Sequence, residues 1–316
     1  MMLQMVLQRI GIGFATLIAV SIIVFIGTSI LPGDVAQIIL GQSATPETLA
    51  VMREQLGLND PAYIRYFSWL GNMLNGDLGI SKAGGASIAS LIGGRLGNTM
   101  VLAGMVAVIA VPLSVALGLY AAMHPGTWLD RIVTFGTLST ISVPEFFIAT
   151  VLVLVFAVEL HWLPAIAYMR GDETFWELMV ALAMPILTLV IVVSAQMIRM
   201  TRAGILNVMS SPYIEMAILK GVPRGRIILR HALFNAIGPI VNVIALNLAY
   251  LVSGVVIVET IFAYPGLAKL MIDGVQTRDL PLVQACAMIF CGVYVVLILA
   301  ADVASILSNP RLRHPK

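Results

Sequence analysis

Long apolar runs separated by polar segments dominate the chain, at about residues 10–31, 98–122, 132–158, 178–199, 238–262 and 283–306. A helix needs about 20 apolar residues to cross a hydrocarbon core. The pattern therefore predicts about six transmembrane helices and an all-α membrane protein. Pro112, Pro144 and Pro185 fall inside or at the ends of these runs. Membrane helices tolerate such prolines where neighbours satisfy the freed carbonyls. The first run follows Arg9 and ends at Leu31-Pro32-Gly33-Asp34 without a small-x-small cleavage site. It is longer than a signal-peptide core, so it reads as an uncleaved signal anchor.

The polar segment between the first two runs spans about 65 residues, too long for a structureless connection. Its punctuation is helical. Thr45-Pro46 marks one helix start and Gly57 its stop; Asp60-Pro61 opens a second helix that Gly76 closes. In the second, Tyr63, Tyr66, Phe67, Leu70, Met73 and Leu74 recur at three-to-four-residue spacing as an apolar stripe. That stripe suits a small cap packed on the membrane domain, and a cap at the mouth of a pathway also reaches substrate. The chain thus divides into a first helix (1–31), an extracytoplasmic helical loop (32–97), a membrane core (98–306) with a cytoplasmic loop at 200–238, and a tail (307–316).

Composition removes the soluble alternatives. Only 11% of the 316 residues are charged and 59% are hydrophobic, whereas a soluble domain carries about 25% charged residues to wet its surface. The net charge of +2 gives no argument for nucleic acid or an acidic substrate. Position matters more than sum. With the N-terminus inside, the inward segments hold Arg9, Arg131, Arg199, Arg202, Lys220, Arg224, Arg226, Arg230, Arg311, Arg313 and Lys316. The outward cations (Arg53, Arg65, Lys82, Arg95, Arg170, Lys269, Arg278) are spread over more chain and lie among acids such as Asp34, Glu47, Glu54, Asp60 and Asp77. This bias predicts an even number of spans with both termini cytoplasmic. Cys286 and Cys291 share one apolar run and form no disulfide or metal pattern. No phosphate-loop or His-Glu-x-x-His motif occurs, and His124, His161, His231 and His314 are scattered. The reading is a transport protein rather than an enzyme, with no metal or cofactor of its own.

The loop from Met200 to Gly238 is the most informative segment. Ser211-Pro212 is a helix start, with a hydroxyl to accept free N–H groups and a proline for the first turn. Tyr213 to Lys220 follows, with Glu215 near the positive end of the helix dipole and Lys220 near the negative end. Gly221 supplies a left-handed stop and Pro223 prevents continuation. A helix of two turns is unstable alone in water, so it must dock on something. The basic stretch Arg224, Arg226, Arg230 and His231 beyond it is interleaved with apolar residues and suits anionic lipid.

Glu215-Met216-Ala217, three further residues and Gly221 resemble the Glu-Ala-Ala signature of permease subunits of ABC importers, with Met216 in place of an alanine. Asn235 and Pro239 resemble the variant found in the dipeptide and oligopeptide branch. The resemblance extends over Leu31-Pro32-Gly33-Asp34, Gly76-Asp77-Leu78-Gly79-Ile80-Ser81, Asn98-Thr99, Glu259-Thr260-Ile261-Phe262-Ala263-Tyr264-Pro265-Gly266-Leu267, Arg278-Asp279-Leu280-Pro281 and the ending Asn309-Pro310-Arg311-Leu312-Arg313. It is nearest the B-type permease of that branch. The resemblance implies a type I importer fold in a bacterial inner membrane. It also implies that the short helix is a coupling helix seated on a cytoplasmic ATPase, with Tyr213, Glu215, Ala217, Lys220, Gly221 and Arg224 at the contact. The implied partners are a second homologous permease, two ATPase subunits that carry ATP and Mg, an extracytoplasmic binding protein, and a peptide or similar solute.

Glu145, Glu259 and Asp302 lie in or at the ends of predicted spans, where an ionised group costs at least ~2.5 kcal/mol and faces a cavity or a partner. Glu259, with Phe262, Pro265 and Gly266, is a candidate for an outer gate, and a helix-bonding role is the plainer alternative. Asp302 has a terminal-tail arginine as its expected partner; Glu145 follows Pro144, which opens polar space. The competing function is an ion-gradient-driven transporter or channel that uses these carboxylates, which predicts inverted repeats. None is visible between the two halves.

Overall fold

A computed structural model describes residues 2–30, 35–41, 44–55, 57–169, 171–253 and 255–308. The Leu31–Asp34 motif, Arg170 and the terminal segment with Asn309–Arg313 and Lys316 lie outside the described residues. The architecture is helical, with one isolated bridge between Ile80 and Ser87. In chain order the helices are α1 (Met2–Ile30), α2 (Val35–Leu40), α3 (Pro46–Gln55), α4 (Ala62–Leu74), α5 (Ile88–Met123), α6 (Trp128–Ser142) and α7 (Glu145–Leu152, prolonged by a π-helical turn to Glu159). They continue with α8 (Phe175–Ala181), α9 (Ala183–Met209), α10 (Pro212–Leu219), α11 (Arg224–Arg226, joined by a π-helical turn to the next), α12 (Leu233–Ser253), α13 (Val256–Ile261), α14 (Leu267–Gln276) and α15 (Leu280–Ser308).

Among the described residues five stretches are long and apolar enough to cross a membrane, in α1, α5, α9, the run from Ile227 through α13, and α15. The run expected as one helix at 132–158 is broken. α6 and α7 meet at an angle of 103°, and they make a sixth span only if taken together. The break itself, though not its angle, has a local cause: Pro144 cannot continue a helix, and it drives Val143 to extended backbone (φ −100°, ψ 130°). Other boundaries move outward. α5 begins ten residues before the expected start, α9 runs ten residues past its apolar stretch, and the basic stretch from Arg224 is helix continuous with α12. Hydropathy marks the part of a helix that lipid or core demands, and polar extensions are invisible to it.

The chain forms two compact units. The first holds the described residues of Met1–Gly13, Met100–Pro265 and Val293–Lys316. Its centre is α9, apolar on nearly every side and buried at Leu189, Val193, Met197 and Ile205. Leu102 and Val106 of α5, Ala149 of α7, Leu251 and Val252 of α12, and Val258 of α13 join the same core. Gly118 of α5 lets α9 approach so closely that an added Cβ would lie 2.7 Å from Thr201 Cβ. The second unit holds the described residues of Phe14–Thr99 and Gly266–Gly292. There α4 leans on α1: Tyr66 donates to or accepts from Ser21 Oγ at 2.8 Å, and its ring meets Phe25 edge-on at 5.4 Å. Gln284 of α15 donates to Thr28 of α1 at 2.7 Å.

Two sequence motifs far apart in the chain meet in this second unit. Asp279, 1% exposed, accepts from Ser81 Oγ and from the backbone N–H of Ala83 at 3.3 Å. It also caps α15 through Leu282 N–H at 3.4 Å. The expected loop helices are present as α3 and α4, and Gly57 and Gly76 both take positive φ (62° and 81°). The expected stripe on α4 is split, however. Tyr66 packs on α1 with Trp69, while Tyr63 and Phe67 are each 66% exposed and Leu74 is 77% exposed.

Candidate functional site

The loop helix α10 is built as its sequence directs, with one exception. Pro212 opens it, Glu215 stands in its first turn, and Lys220 caps its end. The Val222 N–H bonds the Ala217 carbonyl at 3.2 Å, and the Gly221 N–H bonds Ile218 at 2.9 Å. Gly221 takes φ 74°, the left-handed geometry that closes a helix with two carbonyls satisfied. The exception is Ser211. Its hydroxyl caps no N–H of α10 and instead donates to the Val208 carbonyl at 2.5 Å, because the turn from α9 places that acceptor nearer.

Only Ile214 of α10 is buried. It anchors the helix beside Ile227 and Ile228, which are also fully buried. Tyr213, Glu215, Met216, Ile218, Leu219 and Lys220 are exposed, Leu219 by 75%, and Ala217 is half-buried. Tyr213, Glu215, Ala217, Lys220 and Gly221 therefore share one small element, and Arg224 opens α11 three residues beyond it. The outward side is apolar, with charge at its ends. A two-turn helix with this surface offers a partner both burial and orientation.

A buried ion pair braces the helix that carries α10. Arg202 of α9 grips Asp130 at the start of α6 with two bonds, Nε to Oδ1 at 2.6 Å and Nη2 to Oδ2 at 2.9 Å. Asp130 is 4% exposed, and its Oδ2 also accepts the Gly126 N–H at 2.9 Å. Fork-on-carboxylate geometry fixes direction as well as distance. Sequence reasoning counted Arg202 only as a topological charge and did not single out Asp130. The structure shows Thr127 capping α6 by accepting the Asp130 N–H at 3.4 Å, but the ion-pair partner lies 72 residues away, beyond any local pattern.

The carboxylates occupy separate settings. Glu145 begins α7 and accepts the phenolic O–H of Tyr250 on α12, while its Oε1 is buried without a hydrogen-bond partner among the described residues. Asp302 pairs with Arg9 at 3.1 Å; the terminal arginines expected as its partners lie outside the described residues. On α15 it faces the N-terminal turns of α1, where Gly13 lets the two helices close: a Cβ there would stand 2.9 Å from Val295. Glu259, Phe262 and Tyr264 are all fully buried. Their turn is tightly determined: Tyr264 N–H bonds the Glu259 carbonyl at 2.8 Å, and the Phe262 carbonyl accepts from Ala167 N–H at 2.8 Å. Ala263 takes φ 50°, a left-handed conformation costly for a residue with a Cβ, and the two flanking buried rings hold it there. Pro265 ends the first unit, and Gly266 caps α14 in the second.

Comparison with known proteins gives a consistent result. Residues 114–314 match the sequence model of the family described as binding-protein-dependent transport system inner membrane component. Residues 2–116 match the model of the corresponding N-terminal membrane component. A probable peptide ABC transporter permease of Sinorhizobium fredii is 34% identical over 310 residues, covering 98% of this chain and 99% of that protein. The glutathione transport system permease protein GsiC of Escherichia coli is 36% identical over 313 residues in one strain, covering 99% of this chain and all of that protein. In strain K12 the identity is 35%.

Proposed function

This chain belongs to the family of inner-membrane components of binding-protein-dependent transport systems, and on that premise we propose that α10 couples it to a cytoplasmic ATPase. The chain is a multi-pass permease subunit of an ABC importer, a transport component and not an enzyme. With that membership the gradient-driven reading falls away. In the proposed assembly it pairs with a second homologous permease above two ATPases, which supply ATP and Mg, and below an extracytoplasmic binding protein. Both termini face the cytoplasm, in keeping with the cation bias of the loops. The solute is a di- or oligopeptide or a related compound, a reading supported by the peptide and glutathione transport named for two relatives.

The observation that carries the coupling role is the surface of α10, with one buried anchor and Met216, Ile218 and Leu219 exposed in a segment too short to stand alone. Tyr213 and the exposed leucine and isoleucine supply apolar contact; Glu215 and Lys220 at the two ends set register. α10 is strung between α9 and the helix running from Arg224 to α12. A push on it acts on two long helices at once. Asp130–Arg202 stiffens the first arm, and the Gly221 turn determines the angle of the second. Only a differential contact of the ATPase with its two states can drive such a shift.

Replacing Gly221 with valine forces a β-branched residue to φ 74°, a genuinely disfavoured geometry. In the reconstituted complex ATP hydrolysis should continue while solute uptake per ATP falls at least severalfold. Unchanged stoichiometry would refute the coupling role. Affinity purification of the tagged chain tests the assembly: a second permease and P-loop ATPases should copurify, and recovery of this chain alone, under conditions that keep other membrane complexes intact, would overturn it.

A further inference from the structure

The second unit forms an open cavity of about 870 Å³ beside α1, α4 and the first turns of α15. Its depth relative to the membrane follows from the helices that frame it. Thr28 lies in the last turn of the apolar stretch ending at Ile30, and Leu280 and Gln284 open the stretch that begins α15. Both are span ends, so the cavity sits at head-group level. The helix α4 packs deeper along α1. Its Tyr66 is bonded to Ser21, which stands about 14 Å back from the end of α1 at 1.5 Å per residue. Another side of α4 exposes Tyr63, Phe67 and Leu74. Exposed apolar side chains alongside a membrane-spanning stretch meet acyl chains.

The cavity wall carries both signs of charge. Arg53, Arg65 and Lys82 provide cations, and Asp60 and Asp77 provide carboxylates. Arg65 lies over the Phe25 ring at 5.9 Å, and its Nε is buried with no hydrogen-bond partner among the described residues. We propose that this cavity holds the head group of an aminophospholipid, with phosphate against the cations and ammonium against Asp60 and Asp77. The apolar face of α4 then lies among the acyl chains of the same leaflet. Exposed Ile22, Ile23 and Ile26 of α1 give those chains a surface in the same unit. The site anchors the loop to its membrane, and it makes no demand on which solute is carried.

The test uses the complete importer, stripped of lipid in mild detergent and titrated in native mass spectrometry. The probes are dioleoylphosphatidylethanolamine, dioleoylphosphatidylglycerol and soluble glycerophosphoethanolamine. The ethanolamine lipid should be retained in preference to the glycerol lipid. Arg65→Gln and Lys82→Gln should each weaken its retention about fivefold, the effect of one interfacial cation. Lys82 is exposed on a loop, so that variant keeps the fold even where Arg65→Gln disturbs the Phe25 contact. Equal retention of both lipids would overturn the ammonium assignment, and retention unchanged in both variants would overturn the site. Binding of the soluble head group as tightly as the lipid would make this a solute site instead. None of these readouts depends on ATP coupling, so they stand or fall apart from the role of α10.

Discussion

Substituting Asp130 with alanine should loosen the arm that carries α10, and the size of the effect follows from burial. Removing one partner of a buried ion pair costs about 3–5 kcal/mol, because the other charge is left without compensation. Asp130 has a 5% exposed side chain and Arg202 a 27% exposed one. Water therefore recovers part of the arginine's loss, and about 2–3 kcal/mol is expected. The Gly126 N–H also loses its acceptor, which keeps the figure from falling lower. The assay is a double-mutant cycle on the purified complex, comparing Asp130→Ala, Arg202→Met and the pair by thermal melting. Methionine preserves much of the arginine stem's packing. Asp130→Ala alone should lower the midpoint by several degrees, and the double variant should regain much of that, since no buried charge is then unmatched. In vesicles, Asp130→Ala should lose uptake more steeply than ATP hydrolysis. A coupling energy under about 0.5 kcal/mol, the level seen for independent sites, would refute the bracing role.

Two further outcomes test the packing of each unit. Gly118→Ala places a Cβ 2.7 Å from Thr201 Cβ and 3.0 Å from the Ile198 carbonyl, so overpacking should cost about 1–3 kcal/mol. A compensating Thr201→Gly should restore part of the melting temperature, and no change in either variant would show that the crossing is looser than described. Asp279→Asn removes the anionic acceptor of Ser81 and Ala83, a loss of about 1–3 kcal/mol for a buried group. Limited proteolysis within residues 82–86 should then quicken, and an unchanged rate would separate Asp279 from loop stability.

Much of the local structure was readable because its causes are local. Gly221, Gly57 and Gly76 stop their helices by a backbone geometry that only glycine adopts cheaply. Thr45 caps α3 by accepting the Thr48 N–H at 3.2 Å, while Thr48 returns the bond to Thr45 N–H at 2.9 Å. The short helix α10, its glycine stop and its charged ends were likewise written within a dozen residues, whereas its anchor Ile214 was known only from the packing. Ser211 shows where that reasoning stops, because its hydroxyl chose the carbonyl of the preceding helix over the helix it begins.

What the amino-acid sequence determined by itself was the solvent of each segment and the helices that solvent demands. Apolar runs with few charges must satisfy every backbone group internally, and that physics acts on consecutive residues. The tertiary structure decided the pairings and the angles. Asp130 with Arg202, Asp279 with Ser81 and Asp302 with Arg9 join residues whose separation in the chain carries no signal. The 103° turn at Pro144 needed more than proline, which disrupts a helix but does not set the direction in which the chain resumes. There the surrounding core decided, with Ala149 of α7 buried against its neighbours and Tyr250 of α12 bonded to Glu145.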